Sequence, residues 1–305
     1  MALDKRILII GSDSLIGGSL MGSLQRAGEN VIGTTRRRSS VDKSHVYLDL
    51  SEDVEVWQCP LPVSTAIVCA GVTRLDSCRN DPLATASINV KAISILVKHL
   101  VEDGVFMIYL SSNQVFDGKF PNRLPDDQVL PITEYGKQKA EVEQIISQWP
   151  GSTAIIRFSK VLGSRNNFFP GWINALQDNK VIHPFSDIFM SPVPLFFAIS
   201  VLNFVRVNRL MGILQVSGEI DVSYADIAYR GAQLLGRNSL LVQPVPFSKA
   251  GVQAERLPRY STLNTSRLKS ILGIEVPDVW WTIEKAFVQP GALDELIEAE
   301  TIKSE

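Results

Sequence analysis

The residues best suited to chemistry are Tyr135 and Lys139, four apart in Tyr135-Gly136-Lys137-Gln138-Lys139, with the hydroxyl pair Ser111-Ser112 upstream. Residues four apart share one face of a helix. Of the six tyrosines, only Tyr135 has a lysine four residues on. An ammonium beside a phenol favours the phenolate, so this spacing predicts a lowered Tyr135 pKa. Such a tyrosine exchanges a proton with a substrate oxygen near neutral pH. Ser112 can hold that same oxygen. Together they could reduce a carbonyl or oxidise an alcohol, given a hydride carrier beside them.

A hydride carrier needs a nucleotide site. Gly11-Ser12-Asp13-Ser14-Leu15-Ile16-Gly17 follows the apolar run Arg6 to Ile10 and opens a helical pattern reaching Ala27. That strand–turn–helix context is what a dinucleotide fingerprint requires. Gly11 permits the tight turn, and the helix start at Leu15, Ile16 and Gly17 offers N–H groups to a pyrophosphate. Ser14 stands where the middle glycine belongs. It fits there if its φ is negative, and its hydroxyl could bond a phosphate. Arg36, Arg37 and Arg38 follow the second strand where an NAD site would carry an acid. Guanidinium groups suit a 2′-phosphate, which makes NADP(H) the expected cofactor; a solvated basic loop has the same composition. Asp49, followed by Leu50, ends the third strand, where it could meet the adenine amine or simply face solvent. Ala70-Gly71 after the fourth strand allows close backbone approach. Asn89, Thr73, Arg74 and Ser111 complete the candidate cofactor site.

The elements that must position these groups alternate. Apolar strands are expected at 6–10, 30–34, 46–50, 64–69, 105–110 and 154–157, with helices after Gly11, over 82–102 and after Thr133. This pattern reads as βαβ units. The expected fold is α/β, a Rossmann doubly wound parallel sheet with a smaller C-terminal substrate-binding region. Residues 1–159 form the NADP-binding domain, 160–291 mainly the substrate region, and 292–305 an acidic tail. Prolines at 170, 184, 192 and 194 mark irregular loops, and later elements are expected at 213–216, 224–235 and 265–272. No internal repeat is visible.

Composition narrows the function classes. The chain has 305 residues, 45% of them hydrophobic, and a net charge of −2. That balance does not suggest nucleic-acid or bulk membrane binding. Cys59, Cys69 and Cys78 lack CxxC spacing, and Cys69 reads as a reduced core residue. His45, His99 and His183 pair with no ligand-spaced partner, so no metal is expected. The segment 193–207 is too short and interrupted to span a bilayer and reads as a buried helix. Phe168, Phe169 and Trp172 read as core. The start of the chain lacks a signal-peptide pattern, and a cytoplasmic location is expected.

In order and type, Gly11…Gly17, Cys69-Ala70-Gly71, Tyr135-x-x-x-Lys139 and Arg157-Phe158-Ser159 resemble the extended short-chain dehydrogenases/reductases. Ser111-Ser112-Asn113-Gln114-Val115-Phe116-Asp117-Gly118 resembles the STDYVFDG segment of the dTDP-4-dehydrorhamnose reductase-like (RmlD-like) branch. Arg157 to Gly163 with Asn167-Phe168, Asp187 to Pro192, and Arg259 to Leu268 resemble its later segments. The resemblance covers roughly residues 5 to 285. It implies NADPH-dependent reduction of a 4-keto group on a nucleotide-linked deoxysugar. It also implies that Tyr135 donates the proton, Lys139 bonds the nicotinamide ribose and Ser112 is the catalytic hydroxyl.

Three positions depart from the branch. Asn113-Gln114 replaces Asp-Tyr, Lys160 replaces Trp, and Ser14 replaces the middle glycine. Lys160 would suit an anionic ligand if it faces the pocket, and otherwise turns to solvent or a phosphate. Asn113, Lys160, Asn167 and Arg259, with Asn264, are the candidate substrate contacts. Asn113-Gln114 lacks the acid pair of a 4,6-dehydratase. A nucleotide-sugar epimerase and a non-catalytic NADP-binding regulatory subunit, like that of methionine adenosyltransferase, are the competing readings. The expected partner is a small molecule, a nucleotide sugar, with no nucleic acid and no membrane; a homodimer is left open.

Overall fold

Strand β1 (Arg6–Ile10) is buried after its first residue, which is why its sequence is continuously apolar rather than alternating. It opens a computed structural model that describes residues 6–60, 62–164, 169–249, 257–273, 275–289 and 292–295. The next elements are α1 (Leu15–Arg26), β2 (Val31–Thr35), β3 (His45–Tyr47), β4 (Val63–Val68), α2 (Leu75–Asn80), α3 (Pro82–Ala86), α4 (Ile93–Glu102) and β5 (Phe106–Ser112). Then come α5 (Glu134–Ile146), β6 (Thr153–Phe158), β7 (Val161–Leu162), α6 (Phe169–Gln177), β8 (Phe189–Met190), β9 (Val193–Pro194), α7 (Leu195–Asn208) and β10 (Gly212–Val216). The chain closes with β11 (Val222–Ser223), α8 (Tyr224–Leu234), α9 (Ser266–Leu272), α10 (Val279–Val288) and α11 (Ala292–Glu295).

These elements form two compact units. One takes Met1–Val115, Thr133–Arg157 and Val201–Leu214, and the other takes Phe116–Ile132, Phe158–Ser200 and Gln215–Glu305. The units interleave in sequence, where a single boundary at 159 was the expectation.

The first unit is built on a seven-stranded sheet of order β10-β6-β5-β4-β1-β2-β3. Parallel pairs join β1 to β2 and β4, β2 to β3, and β4 to β5. The order reverses between β1 and β4, the switch point at which doubly wound sheets open a crevice. Strand β10 was expected in the substrate half, yet it extends this sheet beside β6. Its inner residues Leu214 and Val216 are fully buried, and strand pairing across a long insertion is invisible in local composition. A π-helical turn at Ser87–Ala92 joins α3 to α4. The run Pro82–Glu102 is long and apolar enough to cross a bilayer, but Ile93, Leu96, Val97 and Leu100 pack into the sheet's core.

The second unit has its own core, where Phe169 of α6 stacks on Phe287 of α10 with centroids 4.4 Å apart. Trp172 meets Tyr224 edge-on, so it belongs to this core rather than to a sugar platform; Phe168 lies outside the described residues. Pro170 sits in the first turn of α6, where its missing N–H costs nothing, so a residue that reads as a loop marker instead begins a helix. The start of the acidic tail is ordered as α11. Leu293 is buried there, and the Asp294 carboxylate accepts from the Ser164 backbone N–H at 3.3 Å.

Candidate functional site

Gly11 has φ +92°, in the region only glycine adopts freely. Its N–H donates to the Thr34 hydroxyl at 2.9 Å, tying the turn to β2. Ser14 has φ −79° and ψ 164°, so an extended serine replaces the middle glycine without strain. Its hydroxyl is already engaged, however. It donates to the Gly11 carbonyl at 2.8 Å and accepts from Gly17 N–H at 3.0 Å, capping α1. The expected phosphate contact through that hydroxyl gives way to the cap. Leu15, Ile16 and Gly17 open α1 directly beyond it.

A cleft of about 410 Å³ lies at the carboxyl ends of β1 and β4, lined by Gly11, Ser14, Arg36, Asp49, Leu50 and Ala70-Gly71, among others. The three arginines have separate placements. Arg36 faces the cleft. Arg37 pairs with Asp13 at 3.3 Å. Arg38 pairs with Glu52 at 3.3 Å and lies 3.9 Å over the Tyr47 ring. Asp49 accepts from the Ser51 N–H and hydroxyl, which holds its carboxyl below the usual range. Glycine-lined backbone, a helix N-terminus and the Arg36 cation in one crevice fit a phosphorylated dinucleotide.

Asn89 stands behind the cleft. Its carboxamide donates to Val72 O at 2.8 Å and accepts from Val72 N–H at 2.7 Å. It also donates to Gln138 Oε1 at 2.7 Å, tying the Gly71-Val72 loop to α5. Asn89 therefore holds the loop that lines the cleft.

Helix α5 begins at a cap. The Thr133 hydroxyl accepts from Gly136 N–H at 3.0 Å and donates to Gln114 Oε1 at 3.2 Å. A Cβ on Gly136 would stand 2.1 Å from the Gln114 carbonyl oxygen, so only glycine lets α5 seat on the turn after β5. The same turn fixes the Ser112 hydroxyl. Ser112 donates to Asn113 Oδ1 at 3.3 Å and accepts from Gln114 N–H at 3.2 Å. Asn113 and Gln114 thus lock the Ser112 end of β5 to the Tyr135 end of α5.

Burial raises the Tyr135 phenol and the Cys78 sulfur adds to it, outweighing the lowering influence of the neighbouring Ser112 side chain. The phenol is pushed well above its ordinary value, the reverse of the lowering that the Tyr–Lys spacing predicts. Lys139 explains why. Its Nζ donates to the Leu110 carbonyl at 2.7 Å and lies 5.7 Å from the Tyr135 ring centroid. Burial lowers Lys139 to about 8, against the raising influence of Glu143, Cys69 and Cys78. The half-buried Cys69 thiol is pushed up to about 12 by desolvation.

Ser111 points away from this work. Its hydroxyl donates to Glu143 Oε1 at 2.5 Å, and Arg157 closes on the same carboxylate at 2.7 Å. Arg157 and Glu143 are 2% and 6% exposed, a buried ion pair joining β6 to α5. The sequence names Thr133, Gln114 and Arg157 only as a helix boundary and as parts of family segments, and does not single out Glu143; none of the four is read there as a positioning residue. Two had readable signals: Thr133 immediately precedes the helix, and Glu143 follows Lys139 by one turn. The partnership of Arg157 had none.

In the second unit, Lys160 is half-buried, and burial lowers its pKa with no acidic group opposing. Arg259 is exposed and lies 5.5 Å over the Phe189 ring and 5.3 Å over that of Tyr260. Asn264 Oδ1 accepts from Ser266 N–H at 3.1 Å at the start of α9. His183 meets the Gln243 carbonyl at 3.1 Å. Asn167 lies outside the described residues.

Comparison with known proteins agrees with this geometry. The RmlD substrate binding domain model matches residues 5–290. Methionine adenosyltransferase 2 subunit beta of Rattus norvegicus is 30% identical over 159 residues, 52% of this chain and 48% of that one, so the chain spans about half the length of these relatives. A probable low-salt glycan biosynthesis reductase of Haloferax volcanii is 24% identical over 279 residues, 88% of this chain and 93% of that one. The solved dTDP-4-dehydrorhamnose reductase of Bacillus anthracis, in complex with NADP, superposes with a TM-score of 0.81 at 21% identity, over 95% of this chain and 99% of that one. With the domain match running nearly end to end over a doubly wound sheet, the chain belongs to the RmlD substrate binding domain family, within the extended short-chain dehydrogenases/reductases.

Proposed function

We infer that the protein is an NADPH-dependent carbonyl reductase acting on the 4-keto group of a nucleotide-linked deoxysugar. The observation that carries this reading is the half-buried Tyr135 phenol beside Ser112, one helical turn from the Lys139 ammonium. A phenol held above its ordinary pKa keeps its proton at neutral pH. That is the protonation state for delivering a proton to a carbonyl oxygen, and a poor one for removing a proton from an alcohol.

The cleft would seat the cofactor, with Arg36 toward the 2′-phosphate and the α1 N-terminus toward the pyrophosphate. NADPH bound there supplies the hydride. Tyr135 gives its proton to the substrate oxygen, and Ser112 donates a hydrogen bond to the same oxygen as charge develops on it. Lys139 holds the nicotinamide ribose. The first compact unit is the cofactor domain, and the second, with Lys160 and Arg259, is the substrate domain. The reading includes a cytoplasmic location and a small-molecule partner.

The test is NADPH oxidation by the purified chain against a panel of nucleotide-linked 4-keto sugars, with Tyr135→Phe as control. Turnover that disappears in the variant supports the reductase. The half-length likeness to methionine adenosyltransferase 2 subunit beta favours a second reading, an NADP-binding regulatory subunit. NADPH binding without turnover on any panel member, and with Tyr135→Phe behaving as wild type, would select it.

A further inference from the structure

The Lys139 ammonium is enclosed by groups that the proposed reaction leaves without a task. Nζ donates to the Leu110 carbonyl at 2.7 Å. It stands 4.5 Å from the centroid of the Tyr109 ring, well within cation–π range. One helical turn on, the Glu143 carboxylate is fixed by Arg157 at 2.7 Å and by the Ser111 hydroxyl at 2.5 Å. Tyr109 is 1% exposed, and its hydroxyl has no hydrogen-bond partner among the described residues. A buried unpartnered hydroxyl is unfavourable, so the useful part of Tyr109 is its ring face.

We propose that Tyr109, whose ring face lies against the ammonium, and Glu143, one helical turn along α5, are positioning residues for Lys139. Both act through Lys139, and the proposal rests on the reading of Lys139 as the lysine that serves Tyr135 and the cofactor ribose. The titratable groups around the ammonium are Glu143 and Tyr135 from its own helix, Cys69 after β4, Cys78 of α2 and Tyr109 of β5. Arg157 of β6 lies behind Glu143. Burial drives Lys139 toward the neutral amine, and Glu143 is the largest influence against it. The Tyr109 ring adds a second attraction that exists only for the cation.

The experiment follows the ¹³Cε resonance of Lys139 in lysine-labelled full-length chain across a pH titration, assigned by its loss in Lys139→Met. Glu143→Gln alone would strand a buried guanidinium, so the double variant Glu143→Gln/Arg157→Met is used. Its Lys139 midpoint is expected to fall by about one unit, tenfold less ammonium above the midpoint. Tyr109→Leu is expected to lower the midpoint by about half a unit. Tyr109→Phe, which keeps the ring, should leave it in place. Midpoints unchanged in both the double variant and Tyr109→Leu would overturn the proposal, as would an equal fall in Tyr109→Phe and Tyr109→Leu. If the double variant fails to fold, the Tyr109 pair decides alone. NADPH binding to the wild-type chain, measured in parallel, separates the outcomes. Absent NADPH binding with shifted midpoints rejects the reductase reading and leaves the positioning role standing.

Discussion

Lys139 follows Tyr135 by one turn of α5, yet its ammonium is given to the backbone carbonyl of Leu110 at 2.7 Å and stands 5.7 Å from the Tyr135 ring centroid. The phenol stands instead beside Ser112. Lys139 therefore anchors α5 to the end of β5, and that anchor brings the Tyr135 end of the helix to the Ser112 end of the strand. A half-buried phenol with a raised pKa beside a fixed hydroxyl keeps its proton at neutral pH.

Replacing Tyr135 by Phe removes the donated proton while preserving the ring. The expected outcome is a kcat lower by about 100-fold or more, with NADPH affinity unchanged. Steady-state kinetics alongside a binding titration check both halves.

Lys139 also leaves a mark on stability. Its folded pKa of about 8 lies below the ordinary 10.5, so between those values the unfolded chain holds a proton that the folded chain has lost. Its contribution therefore rises with pH across that window. Tyr109 and Tyr135 act oppositely, because both are raised above 10.0 and keep protons that the unfolded chain releases at higher pH. Denaturant unfolding from pH 7 to 9, below the range in which the raised Cys69 thiol opposes it, should show a rise in wild type that is flattened in Lys139→Met.

Cofactor preference should depend on Arg36 far more than on its neighbours. Arg36 lines the cleft, whereas Arg37 and Arg38 are engaged by Asp13 and Glu52. Arg36→Ala is expected to weaken NADPH binding by about 10- to 100-fold and NADH binding little. Equal losses for both cofactors would remove Arg36 from the 2′-phosphate.

Gly136 carries a steric requirement. A methyl group there would meet the Gln114 carbonyl at 2.1 Å, and backbone cannot yield as a side-chain tip can. Gly136→Ala should cost about 1–3 kcal/mol of stability and separate Ser112 from Tyr135. The signature is a lowered denaturation midpoint together with a lowered kcat.

The Arg157–Glu143 pair is buried on both sides. Arg157→Met alone strands a carboxylate and should destabilise by about 3–5 kcal/mol. Arg157→Met combined with Glu143→Met should cost distinctly less than the sum of the single changes, a coupling that a double-mutant cycle measures directly.

Local sequence determined the strands and helices of the first unit, because buried parallel strands must be continuously apolar and the helices between them carry readable starts. It determined the Tyr135–Lys139 face through helical spacing, and the Gly11 turn through its place between strand and helix. Only the tertiary structure decided the states of those groups. The direction of the Tyr135 shift depends on how much water burial removes, and spacing along one helix does not contain that quantity. Ser14 and Ser111 read as cofactor contacts, but their hydroxyls were claimed by a helix cap and by Glu143. The seventh strand of the sheet and the Arg157–Glu143 pair join residues whose proximity arises only when distant segments pack, so no local pattern could announce them.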